Sequence, residues 1–220
     1  MAWKGFLKQT QRYLDKVQNP YPAAERVLYQ FASAEDLGRW KVFTDEEYGG
    51  QSTAELSPSS NSRDGTATAE FRGEISVKID EETEGKRMQR SGFAGIRTQE
   101  MEGQYMDVEG YDALAFCVRG DGRKYIANLR TANWIVGEDN SYDVWQAFLF
   151  ARKGAWQEVV LPLDRFLLTH KGRLVETRSE MNPHRIVSLG ISLAAGSSDA
   201  KKGGPFCLGL DCIKATRAGS

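Results

Sequence analysis

Apolar and polar side chains alternate with a period of two along most of the chain. The alternation is clearest at 186–193, and it recurs at 73–79 and 206–212. This period is typical of a strand with one face in a core. About ten to twelve short runs of this kind, with glycine turns between them, predict an antiparallel β-sandwich or barrel. Helical and strand patterns do not alternate, which argues against a parallel α/β sheet.

The stretch 111–131 predicts a β-hairpin. Apolar side chains alternate on both sides of a Gly-Asp-Gly turn at 120–122, so both arms are expected to be half or fully buried. Glycines at both ends of the turn can adopt the positive φ that a tight reversal requires. Three charged residues, Arg119, Asp121 and Arg123, lie at the tip, where they either solvate the turn or form a recognition surface.

Two later segments differ in pattern. Residues 143–151 predict a buried strand whose large apolar side chains are Trp145, Phe148 and Phe150. Residues 167–182 lack sustained alternation and predict a loop.

The N-terminal residues predict a separate element. Apolar residues at helical spacing with basic residues between them predict an amphipathic helix at 3–17, and Asn-Pro-Tyr-Pro at 19–22 predicts an extended linker. We therefore divide the chain into a helix and linker at 1–22 and a sandwich domain at 23–220. The helix either docks on the domain, lies on a membrane surface or forms part of an organelle-import signal.

The composition excludes several classes of function. Lys and Arg number 29 against 30 Asp and Glu, so no net field favours nucleic acid or an anionic membrane. No apolar run reaches the roughly 18 residues of a membrane span, and no secretory signal is recognisable. The three cysteines predict reduced thiols that pack as small hydrophobic groups, which favours a reducing compartment.

Candidate catalytic and metal-binding residues are few. The two histidines, His170 and His184, are expected at the surface, and no zinc-binding spacing is present. The Gly-x-Gly at 120–122 lacks the third glycine of a dinucleotide fingerprint, so we expect no cofactor. Paired carboxylates for glycoside hydrolysis have candidates in Asp45, Glu46, Asp121 and Asp143, but the sequence does not place two of them face to face.

Tryptophans offer a binding alternative. Four of them fall in the sandwich region: Trp40, Trp134, Trp145 and Trp156. Most are expected in the core, with Trp40 as an anchor there. Trp134 follows a strand and is the one expected to be exposed, where an aromatic ring serves sugar binding and protein contacts equally well.

A series of motifs occurs in a fixed order between residues 27 and 215. The series comprises Phe31 with Asp36, Leu37 and Trp40; Thr44-Asp45 with Tyr48-Gly49-Gly50 and Ser52; Ala69 with Phe71 and Gly73; Gly92-Phe93-Ala94-Gly95-Ile96-Arg97; Tyr111-Asp112-Ala113-Leu114; Arg119-Gly120-Asp121-Gly122-Arg123 with Tyr125; Trp145-Gln146-Ala147-Phe148; and Gly204-Pro205-Phe206 with Asp211 and Ile213. In this order the motifs resemble the complex I intermediate-associated protein (thirty-kilodalton) family. The short helical N-terminus resembles that of plant or algal members.

The resemblance implies a galactose-binding-like jelly-roll sandwich and a non-enzymatic function. It implies an assembly factor that holds membrane-arm intermediates of mitochondrial respiratory complex I, acting in the matrix at the inner membrane. The expected partners are complex I subunits, assembly intermediates and other assembly factors, with peripheral membrane contact and no nucleic acid. The family supplies no catalytic, cofactor or metal residues to carry over.

Six residues are expected to contact a partner, because aromatic and charged side chains dominate transient interfaces. They are Asp45, Tyr48, Arg119, Asp121, Arg123 and Trp134. A carbohydrate-binding module of the same fold is the alternative function, and a jelly-roll hydrolase is a third hypothesis.

Overall fold

The computed structural model describes residues 23–78, 91–100, 105–132, 143–176, 180–195 and 203–217. The helix and linker expected at 1–22 and the expected contact residue Trp134 lie outside the described residues. Across these ranges, no helix combines the length and apolarity needed to cross a bilayer.

The described part of the chain is built almost entirely of β-strands. The strands are β1 (Glu25–Gln30), β2 (Trp40–Thr44), β3 (Thr53–Pro58), β4 (Ala69–Ile75), β5 (Phe93–Thr98), β6 (Ala113–Arg119), β7 (Lys124–Thr131), β8 (Asp143–Phe150), β9 (Trp156–Pro162), β10 (Leu167–His170), β11 (Arg173–Leu174), β12 (Ile186–Ala194) and β13 (Gly204–Thr216). A four-residue helix, α1 (Ala34–Leu37), follows β1, and 3-10 turns lie at Asp45–Tyr48 and Leu163–Arg165. Ser33 caps α1, since its hydroxyl accepts from the backbone N–H of Asp36.

The strands form two sheets in which all the described pairings are antiparallel. The first sheet has the order β3-β4-β13-β6-β9, with β1 also paired to β13, and the second has the order β11-β10-β8-β7-β12-β5-β2. The long strand β13 joins the first sheet together, because its first half pairs with β4 and its second half with β1. The two sheets pack as a jelly-roll β-sandwich, which confirms the predicted fold class.

The core lies between the inner faces of the sheets, where the period-two pattern places it. The first sheet contributes Phe71, Phe116 and Ile213, and the second contributes Tyr125 and Leu129, all completely buried. Because side chains alternate along each strand, the remaining positions of these strands face outward. This division determines which residues a partner can reach.

The hairpin predicted at 111–131 is wrong, although its two arms are strands. β6 belongs to the first sheet and β7 to the second, so the chain crosses from one sheet to the other at 120–123. A second crossing, from β8 to β9, packs against it: the N–H of Gly120 donates to the carbonyl of Arg152, and the N–H of Gly154 donates to the carbonyl of Gly120. A Cβ at position 120 would lie 2.5 Å from the carbonyl oxygen of Ala151, so this contact requires glycine.

Two further expectations are corrected in the second half of the chain. Phe148 and Phe150 are exposed and not buried, because they alternate with the core residues of β8. Residues 167–182 are not all loop, since β10 and β11 extend the second sheet beyond β8.

Candidate protein-binding surface

The outer face of the second sheet carries an exposed apolar patch near the β11 edge. The patch consists of Phe148 and Phe150 on β8, Leu167 on β10 and Leu174 on β11, each 56–61% exposed. Strand register places all four on one face, because Leu167 lies opposite Gln146, and Leu174 and Val144 both lie opposite Thr169. The phenyl rings of Phe148 and Phe150 contact each other with centroids 5.8 Å apart.

Small residues occupy the middle of this face. One transverse row runs from Phe43 on β2 through Gly95, Ser192 and Ile126 to Phe148. The ring of Phe43 lies over Gly95, where a Cβ would come within 2.3 Å of it. The row therefore has an aromatic ring at each end, with Gly95, Ser192 and Ile126 between them.

A polar ladder runs beside the apolar patch. Gln146 Nε2 donates to Asn128 Oδ1 at 2.8 Å, and Asn128 Nδ2 donates to Ser192 Oγ at 2.9 Å. Since these amides bond to each other, the ladder rigidifies three neighbouring strands. The apolar patch thus lies on strands that side-chain hydrogen bonds hold together in addition to the backbone pairing.

Asp45 has a structural role that replaces its expected contact with a partner. Its side chain is completely buried at the start of a 3-10 turn. Oδ1 accepts from the backbone N–H of Ser52, and Oδ2 accepts from the Ser52 hydroxyl and from the N–H groups of Gly92 and Phe93. The carboxylate therefore ties the turn to the beginnings of β3 and β5.

Tyr48, at the end of the same turn, is half-buried. Its ring packs on Phe93, which projects from the outer face of the second sheet, with centroids 5.9 Å apart. Tyr48 thus borders the face that carries the apolar patch, and it remains a proposed contact residue.

The charged side chains at the β6–β7 crossing are engaged within the protein. Asp121 accepts from the N–H of Arg123, the hydroxyl of Tyr125 and the N–H of Cys207, at 2.8–3.1 Å. Arg123 also donates to the carbonyl of Gly203. Burial raises the pKa of the Tyr125 phenol, and the adjacent Asp121 carboxylate raises it further. Asp121 and Arg123 therefore hold the crossing against β13, with their remaining surface available to a partner.

Arg119 is likewise paired. Its guanidinium lies 3.2 Å from the carboxylate of Glu70 and over the ring of Trp156, 5.8 Å from the centroid. Trp156 is partly buried by this contact, and Trp40 and Trp145 lie in the core as expected. Arg119, Asp121 and Arg123 lie at the crossing between the sheets, whereas Asp45 and Tyr48 lie in the loop after β2. The five expected contact residues that the structure describes therefore lie in two different parts of the chain.

Sequence reasoning missed the apolar patch. The sequence analysis predicts Phe148 and Phe150 to be buried together with Trp145. Both, however, lie an even number of residues from Gln146 along β8, and therefore on the same face of the strand as Gln146. This spacing could have indicated that the two rings are exposed, because residues two apart on a strand face the same side.

Two groups in the described residues bring potential metal ligands together. They are Cys117 with Asp211 and Cys212, and Asp107 with Glu109 and His184, and within each group the ligand atoms lie within 4.8 Å of one another. His170, the other histidine, lies 2.8 Å from the buried carboxylate of Asp143.

Comparison with known sequences gives one consistent family. The profile described as Complex I intermediate-associated protein 30 (CIA30) matches residues 29–210. The chain is 31% identical over 201 residues to the mitochondrial complex I intermediate-associated protein 30 of Drosophila melanogaster, covering 87% of this chain and 63% of that protein. The mouse protein of the same name is 31% identical, with 86% of this chain and 55% of the mouse protein covered. The chain thus spans less than two thirds of either relative.

Comparison with solved structures identifies the same architecture in proteins of distant sequence. A family 11 carbohydrate-binding module of Clostridium thermocellum superposes with a TM-score of 0.58 at 13% identity, covering 90% of this chain and 96% of the module. The same module in complex with a mixed-linked β-1,3-1,4 tetrasaccharide gives a TM-score of 0.57. At this identity the likeness establishes the fold alone.

The motif order, the sandwich and the sequence match over most of the chain agree, and this protein belongs to the Complex I intermediate-associated protein 30 family.

Proposed function

We propose that this protein is a non-catalytic assembly factor that binds partly assembled subunits of mitochondrial respiratory complex I through the apolar patch. The family and the names of the mitochondrial relatives support complex I intermediates as the partner. The observation that carries the proposal is the exposure of Phe148, Phe150, Leu167 and Leu174 on one rigid face. Membrane-arm subunits present apolar surface before they are assembled, and such surface is the chemical complement of this patch.

The size of the patch suits reversible binding. Covering the exposed parts of Phe148 and Phe150 would remove about 240 Å² of apolar surface from water, worth about 6 kcal/mol before the cost of association. Association itself costs several kcal/mol, so the two rings anchor a complex without making it permanent. An assembly factor has to release its client, and moderate affinity permits this.

The other expected contact residues are proposed in addition to this anchor. Tyr48 borders the same face, and Arg119, Asp121, Arg123 and Trp134 stay proposed contact residues for complex I subunits or other assembly factors. We place the protein in the mitochondrial matrix at the inner membrane, with peripheral membrane contact, because its clients are membrane-arm intermediates.

The test is co-purification of complex I subunits from mitochondria solubilised in mild detergent. F148S/F150S should lower their recovery at least about 30-fold, because the loss of even about 2 kcal/mol of this anchoring free energy reduces affinity by that factor. V160S is the matched control, because Val160 is an exposed apolar residue on the first sheet. Equal recovery with F148S/F150S and V160S would exclude the patch as the binding surface.

Carbohydrate binding is the second candidate, and the amide ladder beside the exposed rings is the observation in its favour. The amide of Gln146 is hydrogen-bonded to Asn128, and the amide of Asn128 to Ser192, so these amide groups are less available to sugar hydroxyls. A glycan array separates the two functions. Binding that depends on Gln146 and Phe148 would replace the assembly proposal, and an array without hits would support it.

A further inference from the structure

Two cysteines face each other across the centre of the first sheet. Cys117 on β6 is the register partner of Cys212 on β13, at a shift in register between Leu210 and Cys212. Their sulfur atoms and a carboxylate oxygen of Asp211 lie within 4.8 Å of one another. Both thiols are free in this structure. The spacing along the chain gives no sign of this pair, because strand register alone brings the two residues together.

Charged groups surround the pair on the outer face of the sheet. Arg63 lies 2.7 Å from the carboxylate of Asp211 and also contacts Cys117. Glu158 accepts a hydrogen bond from the thiol of Cys117 at 3.4 Å and is paired in turn with Lys214. A cation and a hydrogen-bond donor beside a sulfur atom favour its thiolate form.

The two sulfur atoms are not equivalent. The hydrogen bond from Cys212 lowers the pKa of Cys117, and Arg63 lowers it further, while burial and the neighbouring Glu158 carboxylate oppose this decrease. The same hydrogen bond raises the pKa of Cys212, and burial adds to this increase. Cys117 is therefore the nucleophile of the pair, and Cys212 keeps its proton, as the hydrogen-bond donor, until the second step.

Two partly exposed side chains contact the buried sulfur atom of Cys117. Cys117 is almost completely buried, but its covering side chains, Arg63 and Glu158, are 31% and 34% exposed. Movement of these two side chains would open the sulfur atom to solvent. A small oxidant can pass them, whereas a bulky alkylating reagent is hindered.

We propose that Cys117 and Cys212 form a redox-sensitive dithiol that closes to a disulfide on reaction with a hydroperoxide. The thiolate of Cys117 attacks the peroxide oxygen, the O–O bond breaks, and the released hydroxide takes up the proton that Cys117 lost on ionisation, which forms water. The sulfur of Cys212 then attacks the sulfenic acid, the S–O bond breaks, and the Cys212 proton leaves with the hydroxyl as a second water. Two thiols are oxidised and one peroxide is reduced.

Oxidation would also change what holds the β3–β4 loop. Arg63 belongs to this loop and contacts both Cys117 and Asp211. A disulfide removes the thiolate and leaves Asp211 as the anchor of the guanidinium. The redox state of the pair would in this way change the interactions that hold a surface loop of the first sheet.

A soft metal ion would use the same sulfur and carboxylate atoms, but the charge distribution opposes it. Arg63 already occupies the carboxylate of Asp211 and places a positive charge beside Cys117. A divalent cation would have to displace this guanidinium. The dithiol is therefore the better fit.

The test is to treat the reduced protein with one equivalent of hydrogen peroxide, quench it, unfold it and count the thiols by alkylation. The reduced protein should take up three labels, one for each free cysteine, and the oxidised protein only one. Peptide mapping without reductant should join Cys117 to Cys212. C207S is the matched control because it removes the partly exposed third thiol, and it should still lose two labels on oxidation.

Single variants test the order of the two steps. C212S should accumulate a sulfenic acid at Cys117 that dimedone traps, and C117S should lose no thiol. R63Q should slow disulfide formation about threefold for each unit by which it raises the pKa of Cys117, because the thiolate fraction falls about tenfold while nucleophilicity rises about threefold. R39Q is its control, since Arg39 is an exposed arginine paired with Glu35.

Three outcomes would overturn the proposal. They are retention of all three labels after oxidation, a disulfide that includes Cys207, and one zinc ion per chain bound by wild type and lost in C117S and C212S. Tryptophan fluorescence of each variant establishes that it is folded before the thiols are counted.

Discussion

The carboxylate of Asp45 gives the sharpest prediction about stability. It is completely buried and accepts hydrogen bonds from the N–H and hydroxyl of Ser52 and from the N–H groups of Gly92 and Phe93. D45A removes the acceptor of three buried N–H groups, whereas the Ser52 hydroxyl can still donate to the carbonyl of Ser76 at 3.3 Å. Each unsatisfied buried group costs about 1–3 kcal/mol, and entry of water into the vacated space compensates part of this. We expect D45A to lower the free energy of unfolding by about 4 kcal/mol.

D45N refines the test, because the amide keeps the shape of the carboxylate. One amide oxygen can accept from Ser52 Oγ, Gly92 and Phe93, but the NH₂ group then faces the N–H of Ser52. The cost should be about 1–3 kcal/mol, between wild type and D45A. Equilibrium unfolding in urea, followed by tryptophan fluorescence, measures all three proteins.

E47A is the matched control for these variants. Glu47 lies two residues further along the same 3-10 turn with an exposed side chain, so its removal should change stability by less than about 0.5 kcal/mol. If D45A were within about 1 kcal/mol of E47A, the buried carboxylate would not be what holds this loop. The reasoning from its four hydrogen bonds would then be refuted.

The other predictions concern packing, pH and the outer face. G50A should destabilise the protein by about 2–3 kcal/mol in the same urea assay, because the new Cβ would lie 2.1 Å from the Cγ of Asp45; G38A, with its nearest contact at 3.4 Å, should be within about 1 kcal/mol of wild type. The pKa of the Tyr125 phenol is raised in the folded protein, so the unfolded chain loses the phenol proton at a lower pH. The contribution of Tyr125 to the free energy of unfolding is therefore fully present below pH 10, and it falls by about 1.4 kcal/mol per pH unit above pH 10. Urea unfolding at pH 9, 10 and 11 should show a smaller decrease in Y125F, and an unchanged slope would contradict this. F148S should change stability by less than about 0.5 kcal/mol while weakening retention on a hydrophobic-interaction column, since its ring is 61% exposed.

Strand existence could be predicted from the chain because it depends on local alternation. The run at 186–193 became β12, with Leu189, Ile191 and Leu193 in the core, and the run at 113–119 became β6. The cap at Ser33 likewise depends only on its near neighbours, Asp36 in particular. These features are written within a few residues of where they act.

Strand pairing could not be predicted in the same way. The glycine turn at 120–122 is compatible with a hairpin and with a crossing between sheets, because both need a sharp change of direction. A crossing forms because β6 pairs with β13 and β9 in the first sheet, whereas β7 pairs with β12 and β8 in the second. Most of these pairing strands are distant in sequence from the turn. The same limit applies to Cys117 and Cys212, which become neighbours only through the register of β6 and β13.

The proposed contact residues show the limit most clearly at the functional level. Asp45 is a polar residue in a glycine-ended loop, a pattern that suits a surface contact and a buried clamp equally well. Phe148 and Phe150 are large and apolar, yet the alternation of β8 turns them toward solvent.

The sequence alone determined that this chain forms alternating strands of a two-layer β protein and that its motifs follow the order of one family, because hydrophobic periodicity and motif spacing are local properties of the chain. Only the tertiary structure decided which strands pair, which carboxylate is buried, which rings face outward and which thiols meet, because those outcomes depend on free energy shared between residues far apart in sequence.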